Sequence, residues 1–220
     1  MLTLKEAIEA RHSVRHFEDR PIADDVVAML EEEIASVNRR SGLHIQLFVN
    51  EPEAFAAGKT GYGQFKGCRN YLAMVGPRGC EEEVGYWGEH LVLLAQQLGL
   101  NSCWVGLTYK KGKVADDEND GEKRYLVIAL GYGVTQGVPR RSKAVEKVSD
   151  ADAASPRWYR RGIEAALLAP TAINQQKFRF SRKGDVVTLR AGLGPYAKVD
   201  RGIAKYHFEV GAAGYHFEWA

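Results

Sequence analysis

Apolar residues recur along the chain at two spacings, and the places where one gives way to the other mark out its elements. Between Glu81 and Leu98, Val84, Trp87, Leu91, Leu94, Ala95 and Leu98 fall at i, i+3, i+4 intervals, which predicts the longest helix, stopped by Gly99. Leu4, Ala7 and Ile8 predict a short first helix with Thr3 as its N-cap and Ala10 near its end. Val26, Val27, Leu30 and Ile34 stripe a second helix, opened by Pro21 and Asp24 or Asp25 and closed by Gly42. A further helix is expected from Trp158 to Leu168, ended by Pro170, and a last one carries Ile203, Tyr206, His207, Phe208 and Val210 behind Asp200 as its cap.

The spacing changes elsewhere. Residues 44–49 alternate loosely, as a strand does. Residues 71–76 and 125–131 are apolar on both parities, which predicts strands buried on both faces. Residues 100–106 read as a short strand or extended turn, and 178–181 with 186–190 as a hairpin turning through Lys183-Gly184-Asp185. The glycine-rich stretch 58–67, with Tyr62 and Phe65, reads as a loop that could serve as a lid or substrate platform. Residues 110–124 read as a solvated loop, because Asp116, Asp117, Glu118 and Asp120 lack the alternation of a calcium loop; no metal site is expected. Residues 149–156 read as a linker between a first lobe, 1–148, and a second, 149–220. Both contain a helix, small polar residues with an Asn (Asn38, Asn174) and then a strand, a faint sign of two related lobes.

Composition narrows the class. A chain of 220 residues can bury a sizeable core as one large domain or two joined ones. Its formal charge of +2 gives no case for a nucleic-acid or membrane partner. No apolar run approaches the roughly 18 residues of a spanning helix, and the N-terminus lacks the pattern of a signal peptide. Cys68, Cys80 and Cys103, odd in number and without metal spacing, read as reduced thiols of a cytoplasmic protein.

The candidate chemistry lies in three polar stretches. Arg11-His12-Ser13-Val14-Arg15 sets two guanidiniums and a hydroxyl just past a helix. That combination suits phosphate oxygens, although cations at a helix C-terminus also favour the macrodipole. Pro139-Arg140-Arg141-Ser142-Lys143 follows the clearest central strand. It is either a surface turn or a phosphate clamp at the place where ligands meet open sheets. Ala169-Pro170-Thr171-Ala172-Ile173-Asn174-Gln175-Gln176 is the third.

Together these stretches resemble the nitroreductase superfamily, within a subfamily of long, two-lobed relatives. Arg11–Arg15 is similar to its Arg-Arg-Ser-Val-Arg opening, and Gly99-Leu100-Asn101-Ser102-Cys103-Trp104 to its Gly-Leu-Gly-Ser-Cys-Trp segment. Leu130-Gly131-Tyr132 with Arg140 and Arg141 resembles its Gly-Tyr-Pro strand end and basic tail, and Ala169–Gln176 its Ala-Pro-Ser-x-x-Asn-x-Gln turn. The resemblance implies an α+β fold, a nitroreductase-like mixed sheet flanked by helices, and FMN as cofactor with NAD(P)H as transient reductant. It also implies ping-pong hydride transfer to a small acceptor: a nitroaromatic, a quinone or a flavin. It places Arg11, Ser13, Arg140 and Arg141 at the phosphate and ribityl end, with Arg15, Lys143 and the backbone of His12 nearby. Pro170, Thr171, Ala172, Asn174 and Gln176 would edge the flavin ring, and Cys103, Trp104, Val105 and Gly106 would run beside it. No catalytic side chain is nominated, since water or the flavin can supply protons. Trp87 and Cys103 are expected to pack, and His207 and His216 to be structural or at the surface.

One departure from the pattern matters. Where the family carries its Pro-Ser-x-x-Asn turn, this chain has Ser36-Val37-Asn38-Arg39-Arg40, and the turn stands in the second half instead. The family is typically an intertwined homodimer with flavin between subunits. The expectation is therefore a monomer acting as a pseudo-dimer with one flavin per chain, a homodimer being the alternative. Two other readings remain: a flavin-binding module with little turnover, and a cofactor-free structural relative. No Gly-x-Gly-x-x-Gly fingerprint follows a strand, so the choice between NADH and NADPH stays open.

Overall fold

The computed structural model describes residues 1–55 and 64–220. Its order is α1 (Leu4–Ala10), α2 (Asp24–Ser41), β1 (Gln46–Phe48), β2 (Asn70–Pro77), α3 (Glu81–Gln97), β3 (Asn101–Val105), β4 (Glu122–Gly131), α4 (Val145–Val148), α5 (Arg157–Ala166), β5 (Phe178–Lys183), β6 (Val186–Ala191), α6 (Ala197–Gly211) and β7 (Glu218–Trp219). The strands form two sheets, an antiparallel β1-β2-β4-β3 and a smaller β5-β6-β7 in which β6 and β7 run parallel.

The apolar runs of β2 and β4 are explained by a sheet covered on both sides. Leu126, Ile128 and Leu130 of β4, with Leu72 and Met74 of β2, face a core shared with α2, α3 and the second sheet. Val127 and Ala129 point the other way, into a cluster with Tyr71, Cys103, Val105, Val14 and Phe17. The segment after α1 makes that second cover. Val14 N–H donates to the carbonyl of Ser102 at 2.9 Å, and Phe17 N–H to the carbonyl of Lys66 at 2.9 Å, so the stretch starts beside β3 and then runs between Lys66 and the residues that follow β4.

Helix ends follow their local chemistry. Thr3 and Glu6 cap each other at the start of α1, and Gly42 ends α2 in the left-handed region at φ 70°. The expected cap of α6 is not where the sequence pattern puts it. The helix starts at Ala197 behind Tyr196, and Asp200 lies inside its first turn with its carboxylate bonded elsewhere. The loop expected to be solvated also differs, because Asp116 is buried against Arg124. Ser36-Val37-Asn38 belongs to the end of α2. The Asn38 side chain bonds both the N–H and the carbonyl of Ile45, each at 2.9 Å, which fixes the entry into β1.

Two glycines set how close α6 comes to α3. A Cβ on Gly85 would lie 2.0 Å from the Val199 carbonyl oxygen, and one on Gly202 would lie 2.0 Å from that of Glu82. The helices therefore touch backbone to backbone, which brings the first turn of α6 to the end of β3.

Candidate functional site

A cavity of about 480 Å³ opens between the end of β3, the turn after α5 and the start of α6. Its walls come from both ends of the chain: Arg11, His12, Ser13 and Arg15 after α1, Trp104 to Thr108 at the end of β3, Val138 to Arg140, Pro170 to Asn174, and the start of α6. Of the residues named from sequence, Arg11, His12, Ser13, Arg15, Phe65, Trp104, Val105, Gly106, Arg140, Pro170, Thr171, Ala172 and Asn174 line it. Cys103, Arg141, Lys143 and Gln176 do not form its wall. Tyr62 lies outside the described residues.

The cationic end is held rigidly. Arg11 is only 2% exposed, and its Nε stands 3.7 Å from Glu89 Oε1. Glu89, in the middle of α3, is fully buried and serves three residues. Its Oε2 accepts from Trp104 Nε1 at 2.9 Å, and its Oε1 lies 2.8 Å from His207 Nε2. His207 bridges two acceptors, the Glu89 carboxylate beside Nε2 and the Ala165 carbonyl 3.0 Å from Nδ1. One carboxylate on α3 thus orients a cation and an indole of the cavity wall and is itself tied to α6. His207 has the structural role expected of it.

Arg140 donates through one Nη to the carbonyls of Leu167 at 2.9 Å and Ala169 at 2.6 Å, two of the free carbonyls at the end of α5. Burial, then the charge of Arg11, pushes its pKa down to about 10, so it stays cationic at neutral pH. Arg11 Nε and Nη1 and Arg140 Nε are buried without a hydrogen-bond partner. Buried polar groups are otherwise nearly always paired, so these N–H groups suit an anion in the cavity. Burial, then Arg11 and Arg140, lowers the pKa of His12, which keeps its ring neutral near pH 7. Burial raises that of the Cys103 thiol, which sits in the sheet core.

The opposite wall is residues 170–174, most of them the first part of the turn 171–176. Ile173 (φ 47°), Asn174 (φ 55°) and Gln176 (φ 43°) all occupy the left-handed region without being glycine. Contacts on two sides hold this shape. On one, Asn174 Nδ2 donates to the Arg141 carbonyl at 2.9 Å, Gln176 Nε2 donates to the same carbonyl at 3.0 Å, and Lys143 N–H donates to Gln176 Oε1 at 2.8 Å. The amides of Asn174 and Gln176, and the backbone of Arg141, are thus occupied in shaping the turn. On the other side stands Asp200.

Residues at the start of α6 carry no motif and were missed in the sequence. Tyr196, at φ 58°, donates its hydroxyl to the Gly106 carbonyl at 2.9 Å, and its ring fills the space where a Gly106 Cβ would be, 2.5 Å away. Asp200 is 2% exposed, and burial raises its pKa to about 6. Pro195, Val199 and Ile203 complete that side. Leu107, Val138 and Ile173 are exposed at the cavity wall, which gives it an apolar rim. The only available signal was an acidic residue at helical spacing from an aromatic, which is too common to single out.

A family model described as "Putative TM nitroreductase" matches residues 3–212. Among solved structures, one described as a putative nitroreductase from Thermotoga maritima is 22% identical, with a TM-score of 0.68 over 96% of this chain and 83% of its own. A putative NADH dehydrogenase/NAD(P)H nitroreductase from Parabacteroides distasonis is 18% identical, with a TM-score of 0.52 over 67% of this chain and 97% of its own. A putative nitroreductase in complex with FMN from Exiguobacterium sibiricum is 15% identical, with a TM-score of 0.50 over 69% of this chain and 98% of its own. At these identities the likeness is one of fold. No curated protein matches the chain. No described helix is long and apolar enough to cross a membrane.

Proposed function

The chain belongs to the nitroreductase family whose model covers residues 3–212, and on that premise we propose that it is an FMN-dependent oxidoreductase, reduced by NAD(P)H and oxidised by a small acceptor. One observation carries this reading. A single cavity, walled by one chain, gathers a buried guanidinium with unpartnered N–H groups, the segment Trp104-Val105-Gly106 and the polar turn 170–174. Arg11, Arg140 and Ser13 would hold the phosphate of FMN, with guanidinium N–H groups meeting its oxygens. Trp104 to Gly106 and the turn from Pro170 to Asn174 would flank the ring.

Bound there, FMN supplies the two-electron redox chemistry. The chain's own residues bind, orient and exclude. Arg11 and Arg140 counter the phosphate charge in a site of low dielectric, where such pairs are strong. Glu89 fixes the directions of Arg11 and Trp104. Tyr196 and the apolar rim shield one side from water while leaving a flat apolar approach for planar reactants. Reductant and acceptor would share that approach in turn, hence ping-pong kinetics. Both half-sites come from one chain, so we propose the two lobes, 1–148 and 149–220, as a pseudo-dimer with one FMN per chain, in the cytoplasm.

Absorbance of the purified protein, with flavin released by denaturation and counted, tests this. About one FMN per chain and NAD(P)H oxidation faster than with free FMN are expected. A colourless chain that cannot be reconstituted refutes the cofactor. Bound FMN without turnover refutes the enzyme.

A further inference from the structure

The turn 171–176 holds three non-glycine residues in the left-handed region, so something must fix it. The contacts to Arg141 and Lys143 hold its outer half. Its inner half carries internal bonds, from Gln176 N–H to Thr171 Oγ1 at 3.0 Å and from Gln175 N–H to the Ala172 carbonyl at 2.9 Å, and is joined to α6 by one side chain. Asp200 Oδ1 accepts from Ala172 N–H at 3.0 Å, and Oδ2 accepts from Gln175 Nε2 at 2.7 Å. The same Gln175 nitrogen donates to the Pro195 carbonyl at 2.8 Å, beside Tyr196, and Gln175 Oε1 is buried without a partner.

We propose that Asp200 is the positioning residue of the cavity: its carboxylate, accepting from both Ala172 and Gln175, clamps the turn 171–176 to the start of α6 in the shape that borders the cofactor. This rests on the flavin reading given above. The role needs the ionised form. A protonated carboxyl keeps one acceptor and turns the other oxygen into a hydroxyl that must donate, so Ala172 N–H or the Gln175 amide then faces a hydrogen. The nearest remedy is rotation of the Gln175 amide to offer its free Oε1, which releases the Pro195 carbonyl and with it the loop carrying Tyr196.

No ion pair to Asp200 exists among the described residues, and only N–H dipoles meet its charge. The charged or titratable groups nearest in the fold are Lys198 and Arg201 on its own helix, Glu82 on the facing α3, Lys143 on the far side of the turn, and Arg11, His12, Arg15, Arg140 and Tyr196, which share the cavity wall; none of them measurably moves the carboxyl's titration. Arg201 is paired with Glu82. Burial moves the carboxyl's titration up to about 6, within reach of ordinary buffers.

The test compares wild type with Asp200→Asn in two readouts between pH 5 and 8. One is the Ala172 amide resonance of the apoprotein. The other is the FMN dissociation constant from fluorescence quenching. In wild type the Ala172 resonance is expected to titrate with a midpoint near that of Asp200, and in the variant to be flat. Asp200→Asn is expected to bind FMN about tenfold more weakly at pH 7.5, the scale of one lost bond to a charged acceptor. Wild-type affinity should fall toward the variant's as the pH drops. The phosphate of FMN also titrates near pH ~6, but equally for both proteins, so the ratio isolates Asp200. If the variant does not fold, Gln175→Leu removes the clamp from its other side and should weaken FMN in the same way. An Ala172 resonance unmoved by pH, or a ratio near one at every pH, overturns the proposal. Wild type that binds no FMN refutes the cofactor reading instead, and a titrating Ala172 amide then upholds the clamp alone.

Discussion

Replacing Asp200 with asparagine should make the protein more stable at neutral pH, although it damages the site. The carboxyl titrates at about 6 in the folded chain, against an ordinary value of 3.8, because burial disfavours its charge. Between those values the folded state holds a proton that the unfolded state has released, so stability falls as pH rises through the window and stays low above it. A difference of about two units corresponds to about 3 kcal/mol at pH 7.5. Asparagine, like the protonated acid, offers one acceptor and one donor, and the raised pKa already counts the two bonds that the carboxylate accepts. The gain is therefore about 3 kcal/mol, or roughly 6–12 °C in Tm for a chain of this size. Thermal melts of both proteins from pH 4 to 8 measure it, and the advantage of Asp200→Asn should shrink toward zero at the acid end. A variant that melts below wild type by the same margin at every pH would refute the reasoning, because the carboxylate would then gain as much from its two bonds as burial costs it and its titration would not be displaced.

Glu89→Gln, which breaks the buried group shared by Arg11, Trp104 and His207, should cost about 3–5 kcal/mol in urea unfolding. Gly85→Ala and Gly106→Ala should differ in kind. The first drives a methyl against the Val199 backbone and should lower Tm steeply, whereas the second meets only the Tyr196 ring and should chiefly alter ligand affinity. A thiol reagent followed by peptide mass spectrometry should label Cys80 first and reach Cys68 and Cys103 only on unfolding, since those two lie in the core and burial pushes Cys68 up to about 12.

The sequence showed most of the frame, for physical reasons that differ by element. The stripe from Val84 to Leu98 is long enough to admit only one period, and residues 125–131 are apolar on both parities because both faces of β4 are covered. Thr3 with Glu6 is a cap that needs nothing beyond local sequence. Asp200 shows the limit. An aspartate before an apolar stripe reads as a cap, but Tyr196 in the left-handed region starts the helix earlier and turns the carboxylate toward a segment distant in sequence. Likewise β7, two residues long, exists only through its pairing with β6, and Asp116 is buried only because Arg124 meets it. In the cavity, the arginines and the 170–176 turn were legible as motifs. Glu89, Tyr196 and Asp200 act through neighbours far along the chain and left no local mark.

The cavity joins residues just after the first helix to residues at the start of the last long one, with Arg11 buried against a carboxylate that His207 also holds. The cavity cannot close until the start of α6 has left the ribosome, and contacts of such long sequence separation are the slow ones in folding. A ligand that touches both walls therefore has nothing to bind on a half-made chain and stabilises the finished topology alone. Capture of such a ligand would report complete folding, and a misassembled chain would betray itself by failing to retain it well before it lost its helices.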